Sequence, residues 1–254
     1  MTIRTERRDG VLRLGFDRPE RKNAITAAMY DQLADGLRTA ADEPGVHAIL
    51  LHGSEAIFTA GNDLEDFRRN PPHGEDSAVF RFLHALRETD KPLVAAVAGA
   101  AVGVGTTMLL HCDLVYAADN ARFSLPFAQL GLCPEAASSL LLPMVAGWQR
   151  AAEKLMLGEP FGAEEAREMG MVNRVLPAAE LAPFVDAQLA RLVALPTASL
   201  RETKRLMRAG LRDAIAARMD QEGAVFREML RGPSAKEAFA AFFEKRKPDF
   251  SRLS

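Results

Sequence analysis

Residues 93–107, LVAAVAGAAVGVGTT, restrict what this chain can become more than any other stretch. The first five are apolar without a break, as in a strand buried on both faces. Gly99, Gly103 and Gly105 follow, and apolar and small residues continue to Leu110. A strand that passes through glycines into a helix leaves unpaired backbone N–H groups at the helix N-terminus. Glycine also lets a ligand approach the main chain, since no Cβ stands in the way. Two readings fit: an anion or oxyanion site, or a tight and closely packed strand-to-helix turn. A dinucleotide fingerprint does not fit, because Met108 stands where its third glycine belongs.

The rest of the chain supplies the frame. Its 254 residues and ordinary hydrophobic share give room for one large core, and a net charge of -2 offers no basic excess for nucleic acid. Residues 2–7 and 11–16 predict a β-hairpin turning at Asp9-Gly10. Met29, Leu33 and Leu37 mark a helix over 25–41, and 46–51 a strand. Asn62 and Asp63 suit the cap of a helix starting at Leu64. Residues 70–76, NPPHGED, predict a mobile surface loop. Val79, Phe82, Leu83 and Leu86 make one helix face. Strands are expected at 113–117, 122–125 and 172–175, and helices from about Pro134-Glu135, over 144–157 and over 163–169. Beyond Pro177 the pattern is helical alone: 178–195, 197–209, 212–230 and 235–245. The sum is an α/β core carrying a helical C-terminal part. Strand, glycine turn and helix occur in that order at 46–67 and again at 93–110, so two turns could offer N–H groups to one cleft.

Other classes recede. Apolar runs are broken by Gly, His or charge well short of a membrane span. The opening MTIRTERRDG holds no apolar segment of a secretory signal. Cys112 and Cys133 lack metal or redox spacing and read as buried thiols in a reducing compartment, so a cytoplasmic location is expected. His47, His52, His73, His84 and His111 show no ligand spacing, and no metal is expected. Arg201, Lys204, Arg205, Arg208 and Arg212 read as a solvated helix face.

Several segments now fall into one order: RPERKNAIT (18–26), FTAGNDLEDF (58–67), KPLVAAVAGAAVGVG (91–105), CDLVYA (112–117), ARFSLPFAQLGLCPEAASS (121–139) and FFEKRKPDF (242–250). Together they resemble the crotonase (enoyl-CoA hydratase/isomerase) superfamily nearly end to end. The resemblance implies a spiral of ββα units over residues 1–195. It implies a helical region over 196–254 that builds a homotrimer or a dimer of trimers and lies over the coenzyme A site. Acyl-CoA thioesters are the implied ligands, with coenzyme A arriving as part of the substrate and no separate cofactor. An oxyanion hole of two backbone N–H groups is implied, one from Asn62 after Gly61, the other from Val104 after Gly103. Lys22, Ala24, Ala60, Gly61, Asp63, Leu64, Gly103 and Lys245 match positions that hold coenzyme A, and Lys247 resembles a further lysine near the nucleotide. Each lysine equally reads as ordinary solvated charge.

The family's hydratases resemble one another in two glutamates that manage water. Here Thr107 and Phe127 occupy those positions, and neither is a carboxylate. One acid remains: Glu135 in GLCPEAASS, which resembles the Gly-x-x-Pro-Glu-x-x-Ser-Ser segment of the peroxisomal-type 3,2-enoyl-CoA isomerases. That implies a double-bond shift of the fatty-acid β-oxidation type, with one carboxylate taking a proton from C2 and returning it at C4. The other reading of Glu135 is a first-turn acid that complements a helix dipole. A hydratase, or another family lyase or hydrolase using Glu135 alone, and a non-catalytic acyl-CoA-binding member are the alternatives.

Overall fold

The structure, a computed structural model, describes residues 2–72, 74, 76–251 and 253. β1 (Ile3–Arg8) and β2 (Val11–Phe16) form the expected antiparallel hairpin. Asp9 and Gly10 between them have φ of 53° and 74°, and a two-residue turn matched to strand twist needs positive φ at both. α1 (Ala27–Asp42) is capped by the Thr26 hydroxyl and buries Met29, Leu33 and Leu37. One motif then repeats. β3 (Ala48–His52) leads into β4 (Ile57–Thr59), α2 (Leu64–Arg69) and α3 (Ala78–Glu88). β5 (Leu93–Val97) leads into β6 (Ala100–Val102) and α4 (Val104–Thr107). β7 (Leu114–Ala118) leads into β8 (Arg122–Ser124), α5 (Ser138–Ala146) and α6 (Trp148–Leu157). β9 (Phe161–Gly162), α7 (Ala163–Glu168) and β10 (Arg174–Leu176) follow. The chain finishes with α8 (Ala178–Val193), α9 (Thr197–Arg208), α10 (Arg212–Arg231) and α11 (Pro233–Phe243). One sheet runs β1-β2-β3-β5-β7-β10 and the other β4-β6-β8-β9. Each ββα turn therefore adds one parallel rung to both sheets, which is the expected spiral.

The larger sheet is covered on both faces. Ile49 and Leu51 of β3, and Leu93, Ala95 and Val97 of β5, join α1 and α3 in the main core. Leu50 and Val94, between them, meet Leu181, Val185 and Leu189 of α8. That double burial is why 93–97 is apolar at every position. Burying one such large side chain contributes about 1.5–3 kcal/mol.

Several elements differ from the sequence expectation, each for a local reason. β6 stands between Gly99 and Gly103, so the glycine turn leaves β6 rather than β5. Three residues, Ala-Ala-Val, are too few to show a strand's period. Residues 144–157 are two helices, because Gly147 has φ 80° and ends α5. The helix expected at Pro134-Glu135 begins only at Ser138, since Ala136 and Ala137 have φ of 58° and 54°. Glu135 is thus not a first-turn acid.

The basic face of α9 is not wholly solvated. Lys204 is buried, with Nζ 2.6 Å from Asp113 Oδ2 and 2.9 Å from the Lys91 carbonyl oxygen. Arg208 donates to the His111 carbonyl, so this face fastens α9 to the core. Cys112 and Cys133 are free and half-buried, and burial pushes their thiols up to about 12 and about 11. His73 and Glu75 of the expected loop 70–76 lie outside the described residues. No described helix is long and apolar enough to cross a membrane.

Candidate active site

Two glycine turns lie at the ends of neighbouring strands. The first follows β4. Gly61 has φ 80°, and a Cβ there would stand 2.5 Å from the Val102 carbonyl oxygen, so glycine is required. The Ile25 N–H donates to the Gly61 carbonyl at 2.8 Å, and the Asp63 N–H donates to the Ile25 carbonyl at 2.9 Å. In such a parallel bridge the residue between, Asn62, turns its own N–H to the opposite side. The second turn follows β6. Gly103 has φ 55° and ψ -118°, a combination closed to L side chains. Val104 opens α4, where the first N–H groups have no helical acceptor. Neither the Asn62 nor the Val104 N–H donates to a protein group among the described residues.

Both residues line a cleft of about 860 Å³. Lys22, Ala24, Ala60, Gly61, Asp63, Leu64, Gly103 and Lys245 line it too, and so does Phe127; Lys247 does not. All the sequence candidates except Glu135 and Lys247 therefore meet in one cleft. Asn23, which sequence reasoning missed, holds the RPERKN loop in shape. At φ 55° its side chain accepts from the Arg18 N–H at 2.8 Å and donates to the Phe58 carbonyl at 3.0 Å. Asp63 caps α2 through the Glu65 and Asp66 N–H groups and pairs with Arg18 at 2.7 Å. Burial pushes its carboxyl up, but Arg18 and those N–H groups outweigh burial and hold it below the usual range. It is a structural anion. The Tyr30 hydroxyl donates to the Asn62 side-chain oxygen, tying the first turn to α1. Among the described residues no His, Cys, Asp and Glu cluster can hold a metal ion.

Glu135 lines a small chamber, of about 10 Å³, beside the cleft. Phe67 and Phe226 line both cavities and meet edge to face at 6.2 Å between ring centroids. Glu135 is buried, 6% exposed. The Thr107 hydroxyl donates to its Oε1 at 3.1 Å, so the carboxyl is fixed to the same short helix that begins with Val104. Burial pushes Glu135 up to about 7; the Thr107 hydrogen bond pulls it down and the Glu222 charge pushes it up.

Glu222 of α10 occupies the position that the sequence suggested for Glu135. Its Oε2 accepts from the Ala137 N–H at 2.6 Å and its Oε1 from the Ser139 N–H at 3.0 Å, at the α5 N-terminus. Two further contacts pin the Glu135 loop. His111, held neutral by burial at about 4, faces the Ala136 carbonyl with Nε2 at 2.8 Å, so that nitrogen is assigned the proton it donates. The Ser138 hydroxyl donates to the Glu135 carbonyl at 2.6 Å. Two successive alanines at positive φ each cost about 1–2 kcal/mol, and strain of this kind persists only where surroundings enforce it. No sequence signal marks Glu222 beyond Gly223 beside it, where a Cβ would stand 2.9 Å from Phe80.

Two sheets wound as one ββα spiral, with paired glycine turns opening on a shared cleft, define a crotonase-type protein. The chain belongs to the enoyl-CoA hydratase/isomerase family, which acts on acyl-CoA thioesters and whose sequence pattern matches residues 6–252. It is 34% identical to a "Probable enoyl-CoA hydratase" of Rhodobacter capsulatus, over 98% of both chains. It is also 34% identical to "Enoyl-CoA delta isomerase 2" of Rattus norvegicus, over 93% of this chain and 62% of that one. A crystal structure of an enoyl-CoA hydratase/isomerase from Pseudoalteromonas atlantica superposes with a TM-score of 0.94 at 41% identity, over 99% of this chain and 100% of the other. Hydratase and isomerase stand at equal identity, so the choice falls to the site.

Proposed function

We propose that the protein is a 3,2-enoyl-CoA isomerase in which Glu135 carries the proton. The thioester carbonyl oxygen sits between the Asn62 and Val104 N–H groups. Glu135 takes a proton from C2, the electron pair moves into the thioester as a dienolate, and the two N–H groups stabilise the oxyanion. The resulting carboxylic acid gives the proton back at C4, which yields the 2-enoyl thioester. Coenzyme A lies along Lys22, Ala24, Ala60, Asp63, Leu64 and Lys245.

The observation that carries this reading is a buried carboxyl, poised at about 7, anchored by Thr107 to the helix that Val104 opens. A base near neutrality both accepts and releases a proton readily. Water addition calls for a second free carboxylate. Glu222 is committed through both oxygens to backbone N–H groups, and Phe127 turns an apolar ring to the cleft. The reading favours isomerisation over hydration on that ground.

The test is Glu135→Gln assayed with a 3-enoyl-CoA. Gln keeps the shape but holds no transferable proton, and turnover should fall by roughly 10²–10⁴-fold. Retained turnover in a folded variant would remove Glu135 from the mechanism. Brisk hydration of a 2-enoyl-CoA by the parent enzyme would favour the hydratase reading instead.

A further inference from the structure

The Val104 N–H, the Thr107 hydroxyl and the His111 ring stand on one unbroken helical segment: α4 runs straight into a 3-10 turn, Met108–His111. All three residues are buried, as are Met108 and Leu109 between them, so the segment is packed into the core as a stiff unit. Two of its side chains reach across to the Glu135 loop. Thr107 holds the carboxyl itself, through Oε1 at 3.1 Å. His111 holds the main chain one residue further on, through the Ala136 carbonyl at 2.8 Å. The other ties come from elsewhere: Glu222 belongs to α10, and the Ser138 hydroxyl closes back on its own loop. Among these main-chain ties, the one from His111 joins the loop to the segment that Val104 opens.

His111 lines neither the cleft nor the Glu135 chamber. Burial holds the ring neutral at about 4, with the charges of Arg208 and Lys204 of α9 and Arg87 of α3 adding to it, against the pull of the Ala136 hydrogen bond. The ring therefore keeps one N–H and one orientation through the range in which Glu135 titrates. Arg208 fastens the same residue from behind, through the His111 carbonyl. A buried carbonyl such as that of Ala136 needs a donor for stability alone. Proton transfer adds a stricter demand, because a displacement of about 1 Å can cost about 10²-fold in rate.

We infer that His111 is a positioning residue: through the Ala136 carbonyl it holds the Glu135 carboxyl in register with the Val104 N–H, so that base and oxyanion donor keep one spacing. The inference rests on the proposed function for the role of Glu135. Three variants of the full chain test it. His111→Leu removes the donor, His111→Asn stops short of the carbonyl, and His111→Gln carries an amide N–H about as far as Nε2. Turnover of a 3-enoyl-CoA should fall roughly tenfold to hundredfold in the first two and largely return in the third. Dissociation constants for a saturated acyl-CoA should stay within about twofold in all three. Carbon-13 NMR of labelled glutamate, with Glu135→Gln to identify the signal, follows the carboxyl without turnover. Its midpoint should drop from about 7 toward the ordinary 4.5 in His111→Leu and His111→Asn, since a loosened loop admits water. The titratable groups that bear on Glu135, namely Glu222 of α10, Tyr30 of α1 and Cys133 of its own loop, are untouched in every variant.

Parent-like turnover and midpoint in folded His111→Leu would overturn the inference; should that variant not fold, the same result in His111→Asn would do so. Equal losses in His111→Gln and His111→Asn would also overturn it, because the reach of the donor would then count for nothing. If the parent isomerises no 3-enoyl-CoA, the isomerase reading falls, and the Glu135 midpoint alone upholds or overturns the positioning role.

Discussion

At neutral pH Glu135 stands between its two protonation states, and two measurable consequences follow. In the proposed mechanism only the carboxylate takes a proton from C2, so kcat/KM should rise with pH and level off above about 7. A flat profile between about pH 5 and 8 would contradict a Glu135 base. Stability moves the other way. The folded value, about 7, exceeds the ordinary 4.5, so between them the folded chain keeps a proton that the unfolded chain has lost. Stability is therefore full below pH 4.5 and declines as pH rises to about 7, by at most about 3 kcal/mol. Glu135→Gln never ionises, and its denaturation midpoint should match the parent near pH 4 and exceed it near pH 8. Equal midpoints near pH 8 would mean that the carboxyl is not desolvated. Glu135 was legible because CPEAASS is contiguous. Glu222, His111 and Tyr30 were not, since each acquires its partner only when distant elements meet.

The α10–α5 contact is the element on which Glu135 leans. Replacing Glu222 by Gln leaves one carbonyl oxygen for two N–H groups, and removes the negative neighbour that raises Glu135. The variant should lose about 1–2 kcal/mol of stability, and its activity profile should shift to lower pH. An unmoved profile in a destabilised variant would limit Glu222 to capping α5. At this scale the alternation of strand and helix was readable, and so was the doubled strand-turn-helix motif. β6 and β9 are too short to carry a period. The stop before Ser138 was hidden for a different reason: Ala-Ala favours a helix, and only His111, Ser138 and Glu222, acting together, hold it in a left-handed turn.

Across the whole molecule, large apolar side chains lie exposed on several helices besides those at the cleft. Met144, Val145, Trp148, Met156 and Leu157 of α5 and α6 are exposed, as are Leu206 and Met207 of α9. A homotrimer, or a dimer of trimers, is the assembly we expect, and contact between copies would cover such side chains. The sequence pointed only to the helices after residue 195; α5 and α6 add exposed apolar side chains. Trp148 is the single tryptophan and is 69% exposed in one chain, so its emission reports burial between copies. Dilution should shift that emission to the red as light scattering registers a lower mass. A monomeric mass at micromolar concentration, with water-exposed emission throughout, would refute the assembly.

The strands that end in the two glycine turns, β4 and β6, are adjacent rungs of a single parallel ladder. Rung spacing in any sheet is about 4.8 Å, set by peptide hydrogen bonds and indifferent to side chains. The gap between the Asn62 and Val104 N–H groups is therefore inherited, like a division on a ruler. A slip of β4 against β6 by one residue would carry one donor away by about 3.3 Å, whereas drift in the cleft walls leaves both where they are. The donor spacing is thus set by the backbone ladder, while a change in the cleft lining can refit the acyl chain without moving it.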